Sequence, residues 1–206
     1  MKLLKLRHGV YQVDFESREA LLKTFLRPQE YYESPEFKGK VFTLDEYKAW
    51  YQESRGADTF TYYSDWSGCN VPSYIFKDFK EGKFDPLSSQ ELALLKLLKT
   101  IKEQTFYVIG TFNGGSKSVL EHEILHGLYY TTPVYKAGID LLLEVNKESL
   151  VDLKDHIRSL GYHESVVLDE VQAYAGASSE YLDDMGIKYP KSLTAKIQKL
   201  KELYGN

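Results

Sequence analysis

The hydrophobic and polar positions near the start of the chain alternate first with the period of strands and then with that of helices. Residues 2–15 show the pattern of one or two short strands, with Gly9 at the turn between them. Ser17 is positioned to cap a helix, ESREALLKTFLR, which we expect to end before Pro28. Thr43 caps a second predicted helix, LDEYKAWYQES.

The next segments predict one more helix between two strands. TFTYYSD at 59–65 is rich in aromatic residues and predicts a strand, whereas the DWSGCNVPS segment that follows has the turn chemistry of a loop. The leucines of residues 88–102 recur on one side of an amphipathic helix. TFYVIGTF at 105–112 is aromatic and β-branched and predicts a strand, and NGGSK after it predicts a turn.

The remainder of the chain has helical periodicity throughout. SVLEHEILHGLYY predicts a helix, and further predicted helices cover residues 133–145, 148–159, 165–182 and 191–204. The predicted strands lie in the first half of the chain, and the second half is helical. This segregation indicates an α+β fold with a small mixed sheet, because in an α/β fold strands and helices would alternate along the chain. We predict a single domain over residues 1–206, with an N-terminal lobe at about 1–104, a core at about 105–182 and a last helix at about 190–204.

Composition and charge exclude several classes of partner. The chain has 43% hydrophobic and 27% charged residues, and its net charge of −4 without a block of Lys or Arg argues against nucleic acid and anionic membranes. Lys5, Arg7 and Asp14 interrupt the first apolar stretch, which therefore predicts neither a signal peptide nor a membrane span. The expected location is the cytoplasm. Cys69 is the one cysteine, which excludes an intrachain disulfide and predicts a buried thiol.

The stretch EHEILH contains two histidines four residues apart on a predicted helix. At about 100° per residue, His122 and His126 lie about 40° apart on one face, where both imidazoles can reach one metal ion. Glu123 lies beside that ion, where its carboxylate can hold and deprotonate a water molecule. The opposite side of the helix is apolar, with Leu120, Ile124, Gly127 and Leu128. The pattern therefore predicts a metal site and not a pair of core histidines.

A third protein ligand has to come from another helix. The extended pattern HExxHxxGxxH is absent, because Tyr129 and Thr132 occupy the positions of its glycine and its third histidine. Glu170 is the best candidate, since Ala173 and Ala177 on the same face would let its helix approach the first one closely. The alternative third ligands are Asp140, His163, Glu164 and Asp169.

These residues resemble the zincin metallopeptidases, and among them the gluzincin arrangement, in which a glutamate on a later helix completes an HExxH site. The resemblance covers about residues 105–130 and extends to about 177. It implies that Zn²⁺ is held by His122, His126 and Glu170. It also implies that Glu123 is the general base for hydrolysis of an amide bond in a peptide or protein substrate. A strand just before the motif helix would then form an edge for an extended substrate, and TFYVIGTF is in that place.

A tyrosine is a candidate for stabilising the oxyanion of such a reaction. Tyr129 and Tyr130 follow His126 on the motif helix. Tyr174 lies one turn beyond Glu170 on the same face of the later helix. A phenol at any of these three positions could donate a hydrogen bond to the substrate oxygen.

Two other functions are compatible with parts of the sequence. A zincin-like protein could bind metal and peptide without catalysis, since it would use the same ligands. Alternatively, Gly110–Ser118 follows a predicted strand like a P-loop, and Asp169 and Glu170 after an apolar run resemble the Walker B strand of a nucleotide hydrolase. The spacing argues against the second alternative, because a serine separates Gly115 from Lys117 where a P-loop needs adjacent glycine and lysine.

Overall fold

The computed structural model describes residues 1–113, 117–162 and 164–205. Within these ranges the chain is α+β, with four strands and eleven α-helices. It divides into two compact units. The N-terminal unit comprises Met1–Leu4 and Tyr11–Gly115, and the C-terminal unit comprises Lys5–Val10 and Ser116–Asn206. The predicted NGGSK turn lies partly outside the described residues, and so does His163, one of the alternative ligands.

The four strands form one mixed sheet in the N-terminal part of the chain. The strands are β1 (Lys2–Arg7), β2 (Val10–Phe15), β3 (Cys69–Pro72) and β4 (Tyr107–Phe112), in the order β1-β2-β4-β3. Gly9, between β1 and β2, has φ of 69°, which confirms the predicted turn. β4 precedes the HExxH segment as expected, but it lies inside the sheet between β2 and β3. The prediction of a free edge there is therefore wrong, because strands on both sides occupy its backbone groups.

Five helices belong to the N-terminal unit: α1 (Arg18–Glu33), α2 (Leu44–Arg55), α3 (Tyr62–Asp65), α4 (Phe76–Lys80) and α5 (Ser89–Leu98). The predicted caps are confirmed, since the Ser17 side chain accepts a hydrogen bond from the Ala20 amide and Thr43 forms a capping box with Glu46. α1 packs against β3 and β4. A Cβ on Gly110 of β4 would lie 2.5 Å from Leu21 Cδ1, so this contact requires glycine.

Three local predictions in this unit are wrong, and long-range burial explains each of them. α1 continues through Pro28 because residues on both sides of the proline are buried, which outweighs the lost backbone hydrogen bond. Residues 59–65 contain helix α3 in place of a strand, and Tyr62 is buried among other aromatic rings. The predicted loop contains β3, which pairs antiparallel with β4 and buries Cys69.

Buried charged side chains in the core of the N-terminal unit are paired through hydrogen bonds. The Arg27 guanidinium donates two hydrogen bonds to the Glu91 carboxylate, at 2.7 and 2.5 Å. Glu30 accepts a hydrogen bond of 2.7 Å from the Tyr62 hydroxyl. Burial raises the pKa of Glu30, and hydrogen bonds from Tyr62 and Tyr47 offset only part of this effect.

The C-terminal unit is helical, as predicted. Its helices are α6 (Lys117–Thr131), α7 (Pro133–Val145), α8 (Val151–Ser159), α9 (Val167–Ala177), α10 (Ser179–Asp184) and α11 (Ser192–Tyr204). The helix predicted over residues 165–182 is two helices, α9 and α10, because the first ends at Ala177. α9 is central to this unit, since α6, α7, α8, α10 and α11 all pack against it.

In the described part of the chain, we find no helix with the length and apolar character needed to span a bilayer.

Candidate metal centre

The candidate site lies where α6 and α9 approach each other inside the C-terminal unit. The close approach depends on Gly176, since a Cβ there would lie 2.6 Å from Leu125 Cδ1 of α6 and 2.8 Å from Ile197 Cγ2 of α11. α11 also holds the end of α9 through side chains that satisfy its last carbonyls. Thr194 Oγ1 donates to the Ala175 carbonyl at 2.7 Å, and Gln198 Nε2 donates to the Gly176 carbonyl at 2.7 Å.

Three side chains converge between the two helices. His122 and His126 come from α6 and Glu170 from α9, and their potential ligand atoms all lie within 4.8 Å of one another. The two Nε2 atoms are 3.0 Å apart. Glu170 Oε2 lies 3.7 Å from His122 Nε2 and 3.6 Å from His126 Nε2.

These distances are close to those between three ligand atoms that bind one small metal ion. A tetrahedral zinc ion with bonds of about 2.0–2.1 Å keeps its ligand atoms about 3.3–3.4 Å apart. The observed separations of 3.0, 3.6 and 3.7 Å lie on both sides of that value. Two imidazoles with one carboxylate are also a donor set of catalytic zinc sites, in which a fourth position stays open.

Each imidazole is held by its other nitrogen. His126 Nδ1 lies 2.9 Å from Asp169 Oδ1, and His122 Nδ1 lies 3.2 Å from Ser178 Oγ. Such contacts fix the ring orientation and the tautomer of a metal ligand. Burial opposes the charged form of His126, but Asp169 and Glu170 outweigh burial and raise the pKa of His126 well above its usual value. The His126 imidazole is therefore surrounded by negative charge.

Glu170 Oε2 is a buried oxygen that finds no hydrogen-bond partner among the residues that the structure describes. Its side chain is only 10% exposed. A buried carboxylate oxygen without a donor is costly, and a metal cation is one of the few groups that removes this cost. Because this oxygen faces both Nε2 atoms, the residues fit a metal ion bound at this point.

Glu123 follows His122 on α6 and is partly buried. Its Oε2 atom is also buried without a hydrogen-bond partner in the described ranges. Burial raises the pKa of this carboxyl, and His122 and His126 partly counteract the effect. Glu123 is therefore close enough to both histidines for their charges to act on it, as the HExxH pattern predicts.

The three candidate tyrosines differ in their surroundings. The Tyr174 ring packs edge-on against His122, with ring centroids 4.9 Å apart. Tyr129 is engaged elsewhere, since its hydroxyl donates to Asp140 Oδ1 at 2.5 Å on the neighbouring helix α7. Tyr130 lies one turn past His126 on α6 and is partly exposed. Of the three, Tyr174 is the phenol whose ring contacts a candidate ligand.

The three alternative third ligands that the structure describes are engaged in other contacts. Asp140 pairs with Lys136 at 2.6 Å as well as with Tyr129, and Glu164 accepts two hydrogen bonds from Arg158. Asp169 contacts His126 Nδ1, on the side of the ring away from the other histidine.

Residues Val167–Ala177 form a helix, so the stretch with Asp169 and Glu170 does not form the strand that a Walker B motif needs. Together with the antiparallel pairing of β3 and β4, this argues against the nucleotide-hydrolase alternative.

Sequence reasoning missed the residues that hold the histidines. The sequence suggests Asp169 only as an alternative ligand, although its position next to Glu170 on a helix turns it about 100° away from the metal side. Ser178 gives no sequence signal at all, because it follows the end of α9 and depends on where that helix stops.

The chain matches no protein-family model, and neither the curated proteins nor the solved structures that were compared with it give a significant match.

Proposed function

We propose that this protein is a zinc-dependent peptidase that hydrolyses amide bonds of a peptide or protein substrate. One observation carries the proposal: Glu170 Oε2 is buried without a hydrogen-bond donor and faces the Nε2 atoms of His122 and His126. Without a metal ion, the nearest groups that could offset the charge of this oxygen are the two imidazoles, 3.6 and 3.7 Å away and beyond hydrogen-bond distance, so the compensation is only partial.

His122, His126 and Glu170 would hold the metal. Bound there, Zn²⁺ would supply a Lewis acid that polarises the scissile carbonyl and acidifies a water molecule. Asp169 and Ser178 would keep the two imidazoles in orientation by engaging their Nδ1 atoms.

Glu123 would act as the general base. It lies on the same helix as both histidines, and its Oε2 atom is buried and free of hydrogen bonds to the described residues. Its carboxylate would take the proton from the attacking water and then pass it to the nitrogen of the leaving amine.

Tyr174 would stabilise the negative oxygen that forms on the substrate. Burial raises the pKa of the Tyr174 phenol; a hydrogen bond with Tyr162 partly offsets this effect, and the charges of Glu170 and Glu123 raise the pKa further, so the phenol keeps its proton and remains a donor. Its ring already packs against His122. Tyr130 is the second candidate for this role, on α6.

The test compares Glu123→Gln with Glu121→Gln, a matched control on the same helix. Glu121 pairs with Lys201 and not with the histidines. We expect purified wild-type protein to contain one zinc ion and to cleave members of a quenched-fluorescent peptide library. Glu123→Gln should keep the zinc and lose about 10²–10⁴-fold in hydrolysis, whereas Glu121→Gln should keep both. Protein without stoichiometric zinc, or unchanged hydrolysis by Glu123→Gln, would refute the proposal.

A non-catalytic metal-binding protein is the second candidate. The observation in its favour is that the candidate ligands are buried, since the His126 side chain is 5% exposed and the Glu170 side chain is 10% exposed. A metal ion that only holds α6 and α9 together would be buried to this degree. Stoichiometric zinc in a wild-type protein that cleaves no peptide of the library would select this second function.

A further inference from the structure

From the Nδ1 side of His126, a line of hydrogen-bonded polar side chains runs through three helices. Asp169 Oδ1, which contacts His126 Nδ1, also accepts a hydrogen bond of 3.0 Å from Gln172 Nε2. Gln172 Oε1 in turn accepts a hydrogen bond of 2.9 Å from the Tyr135 hydroxyl. Gln172 and Tyr135 are both 0% exposed. This line therefore connects α6, α9 and α7; Gln172 and Tyr135 are shielded from solvent, whereas the Asp169 side chain is 19% exposed.

The direction of each hydrogen bond follows from the chemistry of the groups. The Tyr135 phenol keeps its proton, because burial and the charge of Asp169 raise its pKa well above the ordinary value. It donates to the carbonyl oxygen of Gln172, and the amide nitrogen is then turned toward Asp169. With its carboxylate held in this way, Asp169 accepts from His126 Nδ1, and Nε2, which lies 3.0 Å from His122 Nε2 and 3.6 Å from Glu170 Oε2, is the ring atom left for a metal ion.

We propose that Gln172 and Tyr135 are positioning residues that set the zinc affinity of the site by fixing Asp169 and, through it, His126. This inference rests on the proposed function, because it assumes that His126 is a metal ligand. It concerns two residues that contact neither the candidate metal position nor a substrate, and it assigns Tyr135 a role on a helix that carries no ligand.

Loss of the Tyr135 hydroxyl would affect the site in a specific way. Gln172 Oε1 would be buried without a donor, and the amide would no longer have one preferred orientation. If the Gln172 side-chain amide flips, its oxygen faces the Asp169 carboxylate, and the two groups repel each other. Asp169 then holds His126 less well, although no ligand has changed. A group that contacts a metal ligand directly, as Asp169 contacts His126, typically changes the metal affinity by about 10–100-fold, so residues that act through Asp169 should change it by no more than the lower end of this range.

The experiment measures the zinc dissociation constant of the full chain by competition with a chromophoric chelator. Tyr135→Phe and Gln172→Met keep the size of the buried side chains, and each should weaken zinc binding by about tenfold. Tyr189→Phe is the matched control, because Tyr189 is also a buried tyrosine of the C-terminal unit, and its hydroxyl finds no partner among the described residues. Its zinc affinity should equal that of the wild type.

A double variant tests whether Tyr135 acts through Gln172. If it does, Tyr135→Phe/Gln172→Met should also weaken zinc binding by about tenfold and not by about a hundredfold, since the second change removes nothing further. Single variants that bind zinc like the wild type, a double variant whose loss is the product of the two single losses, or an equal loss in Tyr189→Phe would each overturn the inference.

The same measurements separate this inference from the proposed function. A wild type that binds zinc, together with His122→Ala that does not, supports the metal site whatever Tyr135→Phe does. A wild type that binds no zinc refutes the metal site and the inference together. Thermal unfolding in EDTA reports whether each variant still folds. If Tyr135→Phe does not fold, the comparison of Gln172→Met with Tyr189→Phe decides the question alone.

Discussion

Gly176→Ala offers a direct test of how the approach of α6 and α9 builds the candidate site. The added Cβ would lie 2.6 Å from Leu125 Cδ1 and 2.8 Å from Ile197 Cγ2, whereas ordinary van der Waals contact begins at 3.4 Å. The neighbouring atoms therefore have to move by about 0.6–0.8 Å. Leu125 can turn its methyl group aside, but the branched Ile197 side chain has less freedom.

The size of the effect follows from two opposing contributions. Overpacking of a core costs about 1–3 kcal/mol, and alanine in place of glycine in a helix returns up to about 1 kcal/mol. A net loss of about 1–2 kcal/mol lowers the Tm of a chain of this size by about 2–8 °C. Metal sites tolerate only about 0.2 Å of change in ligand distance, so a shift of α9 also displaces Glu170. We expect zinc to bind about tenfold more weakly, which corresponds to about 1.4 kcal/mol.

Gly138→Ala is the matched control, because Gly138 lies inside α7 and its nearest contact to an added Cβ is 3.2 Å, to Leu200. At this position the gain in helix propensity from alanine should exceed the steric cost of the added Cβ, which is smaller than at Gly176. The Tm should therefore stay the same or rise. The assays are thermal unfolding in EDTA and zinc titration for both variants. The reasoning is refuted if Gly176→Ala unfolds at the same temperature as Gly138→Ala and binds zinc as tightly.

Two further predictions concern the N-terminal unit. Arg27→Met should lower the free energy of unfolding by about 3–5 kcal/mol, because it leaves the buried Glu91 carboxylate unpaired. Lys23→Met, which removes the exposed ion pair with Glu19, is the control and should change the free energy of unfolding little. Equal losses for the two variants in urea unfolding would contradict this prediction. Burial raises the pKa of Glu30 in the folded state, so the folded chain binds this proton more tightly and stability falls as pH rises from 4.5 through the folded pKa. Glu30→Gln should gain stability relative to wild type over that range in urea unfolding at several pH values, and parallel curves would exclude the effect.

Features that depend on a few neighbouring residues could be predicted from the sequence. Ser17 and Thr43 cap helices because their side chains reach amides three residues away, and Gly9 turns the chain because it has no Cβ. The sequence-based predictions are wrong where contacts with distant parts of the chain determine the local structure. Pro28 lies inside α1 because the helix buries both of its halves, and this information is not contained in the proline and its neighbours.

The candidate site shows the same division. Helical spacing was enough to predict that His122 and His126 share a face, and the small residues beside Glu170 indicated that its helix could come close. The sequence indicates Ala173 and Ala177 as the small residues that permit this approach, whereas the structure adds Gly176, where even a Cβ would collide with Leu125 and Ile197. The roles of Asp169 and Ser178 could not be predicted, because they depend on which way each imidazole ring is turned.

The spacing of groups along α9 has a consequence for which changes this site can accept. Glu170, Tyr174 and Ser178 recur every four residues and all contact His122, while Asp169 and Gln172, three apart, form the line that serves His126. A substitution alters one contact at a time. One residue inserted in the middle of α9 would turn everything beyond it by about 100° and advance it by about 1.5 Å, so both lines would lose their alignment together.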